Sequence, residues 1–240
     1  MATQYKPDKI GAQSSGSEAS LHMVQKLKSI REKFQRRAYK ALTSYILQER
    51  HYPYIESPEA FIRENSKNFS SPENAKLTSL DLGCGTKLRN TFGADEVFGV
   101  DIRGNIEDKI IPSDLFTEKI PFGNSEFDFV TAYDFIEHVP RTIIINSNTR
   151  FPFVELMSEI YRVLKSDGFF FHRTPAYPAK QAFQDPTHVN IITEDTFPLY
   201  FCKQASGREP LAQMYGFKGS FELIDQRWNS FWIMTLMKKI

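Results

Sequence analysis

The chain has 240 residues, a formal net charge of +1 and 41% hydrophobic residues, which is enough to build the core of one α/β domain. The nearly balanced charge provides no overall field that would favour nucleic acid or a membrane surface. The two cysteines, Cys84 and Cys202, are too few for a disulfide framework or a cysteine-based zinc site.

The N-terminal residues carry no targeting or membrane signal. Residues 1–10 are polar and lack the apolar segment of a secretion signal. No run approaches the roughly 20 apolar residues of a membrane span. We therefore expect a soluble, cytoplasmic protein without a membrane span.

Residues 1–75 are predicted to form a flexible N-terminus and a helical cap. Residues 1–20 are rich in Ser, Gly, Gln and Lys, which favours a mobile segment. Residues 21–50 have apolar side chains at helical spacing and basic side chains largely on the other face, which predicts an amphipathic helix. The basic face suits phosphates or an anionic surface, although a solvated helix face is the simpler interpretation. A short helix over 58–65 and a linker over 70–74 then precede the predicted catalytic domain, residues 76–240.

The remaining chain alternates strand and helix patterns. Short apolar runs predict strands at 80–82, 97–101, 110–115, 127–133 and 168–174, and helical spacing predicts a helix at 153–165. Two further strand-like runs, 220–228 and 231–239, predict a hairpin at the sheet edge. This order predicts a Rossmann-like α/β fold, with a seven-stranded mostly parallel sheet, an antiparallel C-terminal strand pair and an N-terminal helical extension.

A glycine turn directly follows the first strand and indicates a nucleoside-type site. Gly83 and Gly85 allow a sharp bend and a close approach of a ligand to the backbone. Asp101 ends the second strand, so a parallel pairing brings its carboxylate beside the turn, where it suits the hydroxyls of a ribose. The third glycine of a dinucleotide fingerprint is missing, since Lys87 and Leu88 stand where it would follow. A tight turn without a ligand is the alternative interpretation.

Five motifs in order resemble a class I S-adenosylmethionine-dependent methyltransferase, of the methyltransferase type 11-like, bacterial small-molecule or glycan type. They are Asp81–Gly85, Gly99–Asp101, Asp114-Leu115 ahead of Ile120–Asp128, Glu137-His138-Val139 and Glu159–Gly168. The resemblance covers residues 76–240 and implies S-adenosylmethionine as cofactor. This chain departs from the family where only about ten residues separate Thr86 from Val97, so the first crossover helix must be short or partly unwound.

The resemblance also implies which residues bind the cofactor. Asp81, Gly83 and Gly85 would lie against its methionine portion and ribose, and Asp101 would accept from the ribose hydroxyls. Asp114 would accept from the adenine amino group. The remaining predicted cofactor residues are Ile102 and Leu115 against the purine, Cys84 within the turn and Tyr133 at the end of the fourth strand.

Candidate catalytic residues follow the carboxyl ends of the later strands. Methyl transfer from a sulfonium needs a base only if the acceptor stays protonated near neutral pH. We expect His188 to act as base or acceptor ligand, with Asp185 in the same proline-marked loop and His138 as further candidates, although the family position of His138 commonly supports the cofactor pocket. His172 is predicted to be a core histidine with a satisfied hydrogen bond.

A metal site is not expected. Asp134, Asp185 and His188 carry ligand types that a divalent ion accepts. Nothing in their spacing demands a metal.

The predicted function is methyl transfer to a small polar acceptor. The loop after the fifth strand resembles that of bacterial methyltransferases of surface-polysaccharide or glycoside modification, which favours a hydroxyl of a sugar. The alternatives are an N- or C-methyltransferase of a small metabolite, an RNA- or anionic-surface-binding methyltransferase-like module, and a nicotinamide oxidoreductase. A nucleic-acid partner is not expected, and the sequence is compatible with a homodimer.

Overall fold

The computed structural model of the chain describes residues 23–35, 37–38, 52–69 and 75–240. The chain divides into two compact units, Met1–Arg50 and His51–Ile240. The mobile segment predicted for residues 1–20 and the linker predicted for 70–74 lie outside the described residues. The division into residues 1–75 and 76–240 stays a prediction. Among the described helices, none is long and apolar enough to cross a membrane.

The helix of the first unit, α1, covers residues 23–35 and 37–38, within the predicted amphipathic segment. Its described side chains are exposed on both its basic and its apolar face. The exposed apolar side chains include Val24, Leu27, Ile30 and Phe34.

The second unit is built on one seven-stranded sheet with the order β3-β2-β1-β4-β7-β9-β8. The parallel strands are β1 (Thr78–Leu82), β2 (Glu96–Asp101), β3 (Ile110–Pro112), β4 (Phe127–Tyr133) and β7 (Leu164–Pro175). The C-terminal pair, β8 (Phe221–Asn229) and β9 (Trp232–Lys239), is antiparallel and joins the sheet through β9. The predicted fold class is therefore confirmed.

Helices and one small hairpin connect these strands. The α-helices of this unit are α2 (Pro58–Asn65), α3 (Pro152–Val163), α4 (Gln181–Gln184) and α5 (Thr196–Tyr200). Short 3₁₀ helices occur at Ser66–Asn68, Ile106–Asp108, Ile136–His138 and Leu211–Tyr215, and the hairpin consists of β5 (Ile143–Ile145) and β6 (Asn148–Arg150). Helix α2 begins where predicted because Ser57 caps it, accepting a hydrogen bond from the amide of Ala60 at 3.1 Å.

The connection from β1 to β2 lacks the crossover helix that parallel strands usually have. Residues 83–95, all of them described, form turns and no regular helix. Aromatic rings cover this face of the sheet instead: Phe92 stacks on Phe129 with a centroid distance of 4.3 Å, and Phe69 meets Phe92 edge-on at 5.1 Å. Phe61 of α2 packs against Phe171 at 5.5 Å and extends the cluster. The predicted shortening of this crossover is confirmed.

Helix α3 covers the opposite face of the sheet. Its Leu156, Ile160 and Val163 are buried in one core cluster with residues of β1, β4 and β7, among them Leu80 and Phe170. Both faces of the sheet are thus covered, and polar side chains gather where the parallel strands end.

Candidate active site

The glycine turn lies at the carboxyl end of β1, beside the end of β2. Gly83 has φ +63°, and its amide donates to the carbonyl of Val100 at 2.8 Å. A Cβ at this position would lie 2.4 Å from the ring of Phe135, so both the backbone angle and the space demand glycine. Gly85, with φ +67°, donates its amide to the Asp101 carboxylate at 2.8 Å. The predicted contact between the turn and Asp101 is therefore present.

Asp101 is a buried carboxylate with three kinds of hydrogen-bond donor around it. Besides the Gly85 amide, the backbone amide and the Nε of Arg103 donate to its Oδ1 at 2.9 and 3.1 Å. Burial by itself raises the pKa of Asp101, but the hydrogen bonds from Arg103 and Gly85 outweigh it and hold the pKa below its ordinary value. Asp101 is thus an anion near neutral pH, with acceptor oxygens at the sheet edge.

A small cavity of about 80 Å³ collects five of the predicted cofactor residues, which are Gly83, Asp101, Ile102, Asp114 and Leu115. Two rings that the sequence analysis did not select, Phe116 and Phe135, complete its wall and stack on each other with a centroid distance of 6.2 Å. Ligand sites usually measure about 300 Å³ or more. A nucleoside therefore fits here only when these two rings move apart.

The remaining lining residues have different exposures. Ile102 is largely exposed and Leu115 is buried. The Asp114 carboxylate accepts hydrogen bonds from the amide of Phe116 at 3.0 Å and from the hydroxyl of Thr117 at 3.1 Å. These contacts fix the turn after β3 and keep the carboxylate next to the cavity.

Asp81 and Cys84 are buried beside the turn and do not line this cavity. The Asp81 carboxylate accepts from the hydroxyl of Thr131 at 2.8 Å and from the amide of Arg89 at 3.0 Å. Burial raises its pKa to about 6. Burial likewise raises the pKa of the Cys84 thiol to about 12, so it is not a nucleophile near neutral pH. The cofactor contacts predicted for Asp81 and Cys84 stay predictions.

Tyr133 lies at a second cavity of about 350 Å³, apart from the residues around Gly83. Its ring packs near two guanidinium groups, those of Arg89 at 5.2 Å and Arg173 at 5.3 Å. Its hydroxyl is 3.0 Å from that of Thr91. The cofactor contact predicted for Tyr133 stays a prediction.

The three predicted catalytic residues, His138, Asp185 and His188, come together after β4 and β7. The two imidazole rings are 4.9 Å apart, edge to face. The hydroxyl of Thr187 donates to Asp185 at 2.6 Å and lies 3.0 Å from Nδ1 of His138. Because that hydroxyl proton is used toward the carboxylate, Nδ1 of His138 is the donor in the second contact, which leaves its Nε2 as an acceptor.

His188 is largely buried but is not held in the same way. Its Nε2 is 3.9 Å from the Asp185 carboxylate. Its Nδ1 is buried without a hydrogen-bond partner in the described part of the chain. The hydrogen bond from the Thr187 side chain lowers the pKa of Asp185, so this loop presents an anion beside two imidazoles.

Glu137 follows β4 at the carboxyl edge of the sheet but was not among the three predicted catalytic residues. It is almost fully buried, and its carboxylate accepts from the hydroxyl of Thr174 at 2.6 Å. Burial raises its pKa to about 7. Its adjacency to His138 in the Glu137-His138-Val139 motif was the available signal, but only the return of residues 185–190 to this edge reveals the cluster.

Asp134 and His172 are two further polar residues near this edge, and neither belongs to the cluster of predicted catalytic residues. Asp134 forms an ion pair with Arg173 and accepts from the indole of Trp232 at 2.7 Å. His172 is fully buried, and within the described residues both of its ring nitrogens lack a hydrogen-bond partner. The satisfied hydrogen bond predicted for His172 is therefore wrong. Burial lowers its pKa to about 3.

Comparison with known proteins identifies the family. A family model described as a methyltransferase domain matches residues 32–205. None of the curated proteins matched the sequence.

Many solved structures resemble this one at low identity. A SAM-dependent methyltransferase from Archaeoglobus fulgidus is 17% identical, with a TM-score of 0.44, over 75% of this chain and 92% of its own. One from Aquifex aeolicus is 15% identical, with a TM-score of 0.48, over 77% and 90%. The PH0226 protein from Pyrococcus horikoshii is 19% identical, with a TM-score of 0.46, over 79% and 95%.

The family match covers more than half of the chain, including β1, β2, β4 and both imidazoles. It agrees with the five motifs and with the sheet order. The type 11-like, bacterial small-molecule or glycan type stays a prediction. The predicted class of methyltransferase and its cofactor are confirmed: the chain belongs to the S-adenosylmethionine-dependent methyltransferases.

Proposed function

We propose that this methyltransferase modifies a hydroxyl group of a small polar acceptor, and that the acceptor is a sugar or glycoside. One observation carries the proposal. Two imidazoles, 4.9 Å apart, lie at the same sheet edge as the glycine turn, and one of them, His138, is oriented by an aspartate–threonine pair. A hydroxyl acceptor needs such a proton-accepting group, because it stays protonated near neutral pH.

The residues around the glycine turn suit the cofactor. Gly83 has no side chain, so a ligand can approach its backbone closely once the Phe135 ring that lies over it moves. The Asp101 carboxylate suits a ribose diol, and Asp114 suits the adenine amino group. Ile102 and Leu115 offer apolar contact to the purine. The cofactor supplies an electrophilic methyl group on a sulfonium. Its ribose takes Oδ1 of Asp101, to which Arg103 donates in the structure described here.

The second cavity supports binding of the methionine end. Arg89 and Arg173 bring positive charge to it, and Arg89 also forms an ion pair with the buried Asp81 at 3.7 Å. A guanidinium group is well suited to a carboxylate. Tyr133, between these two arginines, is proposed to contact the cofactor there.

At the acceptor end, His138 and His188 receive the hydroxyl. In-line transfer forms the oxygen–carbon bond as the carbon–sulfur bond breaks, and the electron pair of that bond stays on sulfur. The hydroxyl proton passes to an imidazole, for which Nε2 of His138 is available because Nδ1 is held by Thr187. Asp185 keeps Thr187 in position. His188 orients the acceptor oxygen.

A third cavity, of about 580 Å³, supports a sugar as acceptor. Aromatic rings of Phe151, Tyr200 and Tyr215 share its wall with the charged groups of Arg141 and Asp195. Sugars present C–H faces to aromatic rings and hydroxyls to charged groups. Arg141 is tied to the histidine loop, because its Nε donates to the side chain of Asn190 at 2.7 Å.

Other candidates lack such support. A dinucleotide pyrophosphate binds at a helix N-terminus, and the described residues 83–95 offer none after the glycine turn. N-methylation of a neutral amine does not need the imidazole pair.

Methyl transfer from labelled S-adenosylmethionine to a panel of glycosides and amines tests the proposal. We expect glycoside methylation, and a fall in kcat of about 10²–10⁴-fold in His138→Ala, the usual contribution of a general base. Binding of S-adenosylhomocysteine to this variant serves as the control and should be unchanged. Transfer to amines that persists in His138→Ala would support the alternative acceptor class and overturn the proposal.

A further inference from the structure

Glu137, His138 and His188 form a compact group of metal-ligating side chains. Each offers one ligand atom, and these three atoms all lie within 4.8 Å of one another. Glu137 is buried, and His188 has 11% of its side chain exposed. Proton transfer from an acceptor hydroxyl needs one imidazole, so the second imidazole and the buried carboxylate beside it need a further explanation.

We propose that Glu137, His138 and His188 bind one divalent transition-metal ion, with Zn²⁺ as the best match. A histidine pair with one glutamate is a ligand set of catalytic zinc sites, in which the fourth position stays open. Mg²⁺ prefers oxygen ligands and fits this set poorly. Ligands about 2.0–2.1 Å from a tetrahedral ion lie ~3.4 Å apart, so atoms that are now as much as 4.8 Å apart need to approach one another by up to ~1.4 Å.

The surroundings orient these ligands. Thr187 engages Nδ1 of His138, which leaves Nε2 for the ion, and Asp185 in turn accepts from Thr187. Thr174 donates to Glu137 at 2.6 Å. Hydrogen-bonded outer partners of this kind fix the orientation of histidine and carboxylate ligands. Nδ1 of His188 is buried with no hydrogen-bond partner among the residues described, and an ion at this site would supply one.

The loop that carries His188 is anchored to the other two ligands. The side-chain amide of Asn190 donates to the carbonyl of Ile136 at 3.1 Å, and its backbone amide donates to the carbonyl of Glu137 at 2.9 Å. Both bonds involve backbone next to the ligand pair. The relative position of the three ligands is therefore set by the fold, as a metal site requires.

The ion would take part in the proposed function by changing how the acceptor hydroxyl loses its proton. Only this part of the inference rests on the proposed function. An acceptor hydroxyl at the open position becomes more acidic through the Lewis acid. Both imidazoles are then ligands, so the hydroxyl proton passes to the Asp185 carboxylate instead. The oxygen attacks the methyl carbon, and the carbon–sulfur electron pair leaves with sulfur as before.

Metal binding can be measured without cofactor or acceptor. The full chain is stripped with a chelator and titrated with Zn²⁺, Co²⁺ or Mg²⁺ by calorimetry, with Co²⁺ absorption as a report of coordination. We expect one Zn²⁺ per chain, a Co²⁺ spectrum typical of four- or five-coordination, and little heat with Mg²⁺. Absence of Zn²⁺ binding by the folded protein would overturn the proposal and leave the proposed function open.

Variants distinguish the proposed metal site from the proposed cofactor site. His188→Ala should lose Zn²⁺ affinity by at least about tenfold, and Thr187→Val by about 10–100-fold, as for outer partners of metal ligands. Asp114→Asn is the matched control: it should keep Zn²⁺ affinity and weaken S-adenosylhomocysteine, whereas His188→Ala should do the reverse. Equal Zn²⁺ affinity of His188→Ala and wild type, with both folded, would contradict the site.

Discussion

At the scale of single residues, Asp101 shows how a carboxylate is prepared for a ligand. It is buried at the sheet edge, and its pKa lies below the ordinary value because Arg103 and Gly85 donate to it despite burial. These hydrogen bonds offset the desolvation of the carboxylate before any ligand binds, so the carboxylate stays ionised. A ligand with two hydroxyls can then replace Arg103 without changing the charge state of the site.

Asp101→Asn removes that charge while keeping the shape of the side chain. We expect S-adenosylhomocysteine affinity to fall by about 10–150-fold, which corresponds to about 1.5–3 kcal/mol for hydrogen bonds to a charged group. Calorimetric titration measures this difference. Asp108→Asn, an exposed acid on the Ile106–Asp108 3₁₀ helix, is the matched control and should bind like wild type. Equal affinity of the two variants would show that Asp101 does not contact the ribose.

At the scale of elements, the connection between β1 and β2 has aromatic packing where parallel strands usually have a helix. Phe92 stacks on Phe129 and meets Phe69 edge-on. These rings cover sheet surface that the missing helix would otherwise bury, and aromatic pairs add about 0.5–1.5 kcal/mol beyond area burial. This face of the sheet is therefore covered by side chains of the connection rather than by a helix.

Phe92→Ala tests this substitution of packing for helix. We expect the free energy of unfolding in urea to fall by about 2–4 kcal/mol, because the half-buried ring leaves a cavity between two neighbours. Phe183→Ala, at a ring that is more than half exposed, should change it by less than about 1 kcal/mol. A similarly small fall in the free energy of unfolding in both variants would mean that the aromatic cluster does not stabilise the fold.

Elements with a strong local pattern were predictable from the sequence. β4 spans the predicted residues because it is an apolar run bounded by turns, and the C-terminal hairpin follows from its two strand-like runs. Helix α3 ends at Val163 rather than Lys165, because Leu164 leaves helical geometry and pairs with Phe127. Pairing between distant strands decides that boundary, and a local pattern does not contain it.

The site was predictable only in part, for a similar reason. Asp101 and Asp114 follow strands directly, so parallel pairing alone brings them together. The closeness of Glu137 to His188 depends on Asn190, which returns the later loop to the carbonyls of Ile136 and Glu137. Such side-chain-to-backbone contacts across 50 or so residues follow from the folded geometry and have no periodicity in the sequence.

At the scale of the whole molecule, His172 links the core to the acid sensitivity of the fold. Its pKa is lowered to about 3 by burial, whereas an unfolded histidine titrates near 6.5. Between these values the unfolded chain binds a proton that the folded protein excludes. The free energy of unfolding therefore falls as the pH falls below about 6.5, by up to about 1.4 kcal/mol per pH unit from this group.

His172→Leu removes this dependence and two buried nitrogens without partners. We expect equal or greater stability at pH 7, and a shallower loss between pH 6 and pH 4, measured by urea unfolding at each pH. Phe170→Leu on the same strand is the control, since it should lower stability equally at every pH. Asp81, whose pKa is raised to about 6, makes the free energy of unfolding change with pH in the opposite direction. It does so equally in wild type and in His172→Leu, so its contribution cancels when the two proteins are compared. Parallel curves for His172→Leu and wild type would contradict the prediction.

The cavity beside Gly83 has a consequence for the timing of catalysis. Phe116 and Phe135 stack over a space of about 80 Å³, so the rings must part before the cofactor can settle. When such an opening has to precede binding, the rate of cofactor binding reaches a maximum at high cofactor concentration. The rate of the opening step sets that maximum. The same step governs departure of the spent cofactor. If the cofactor binds here as proposed, turnover can be no faster than the parting of these two phenylalanine rings, although neither takes part in the chemistry.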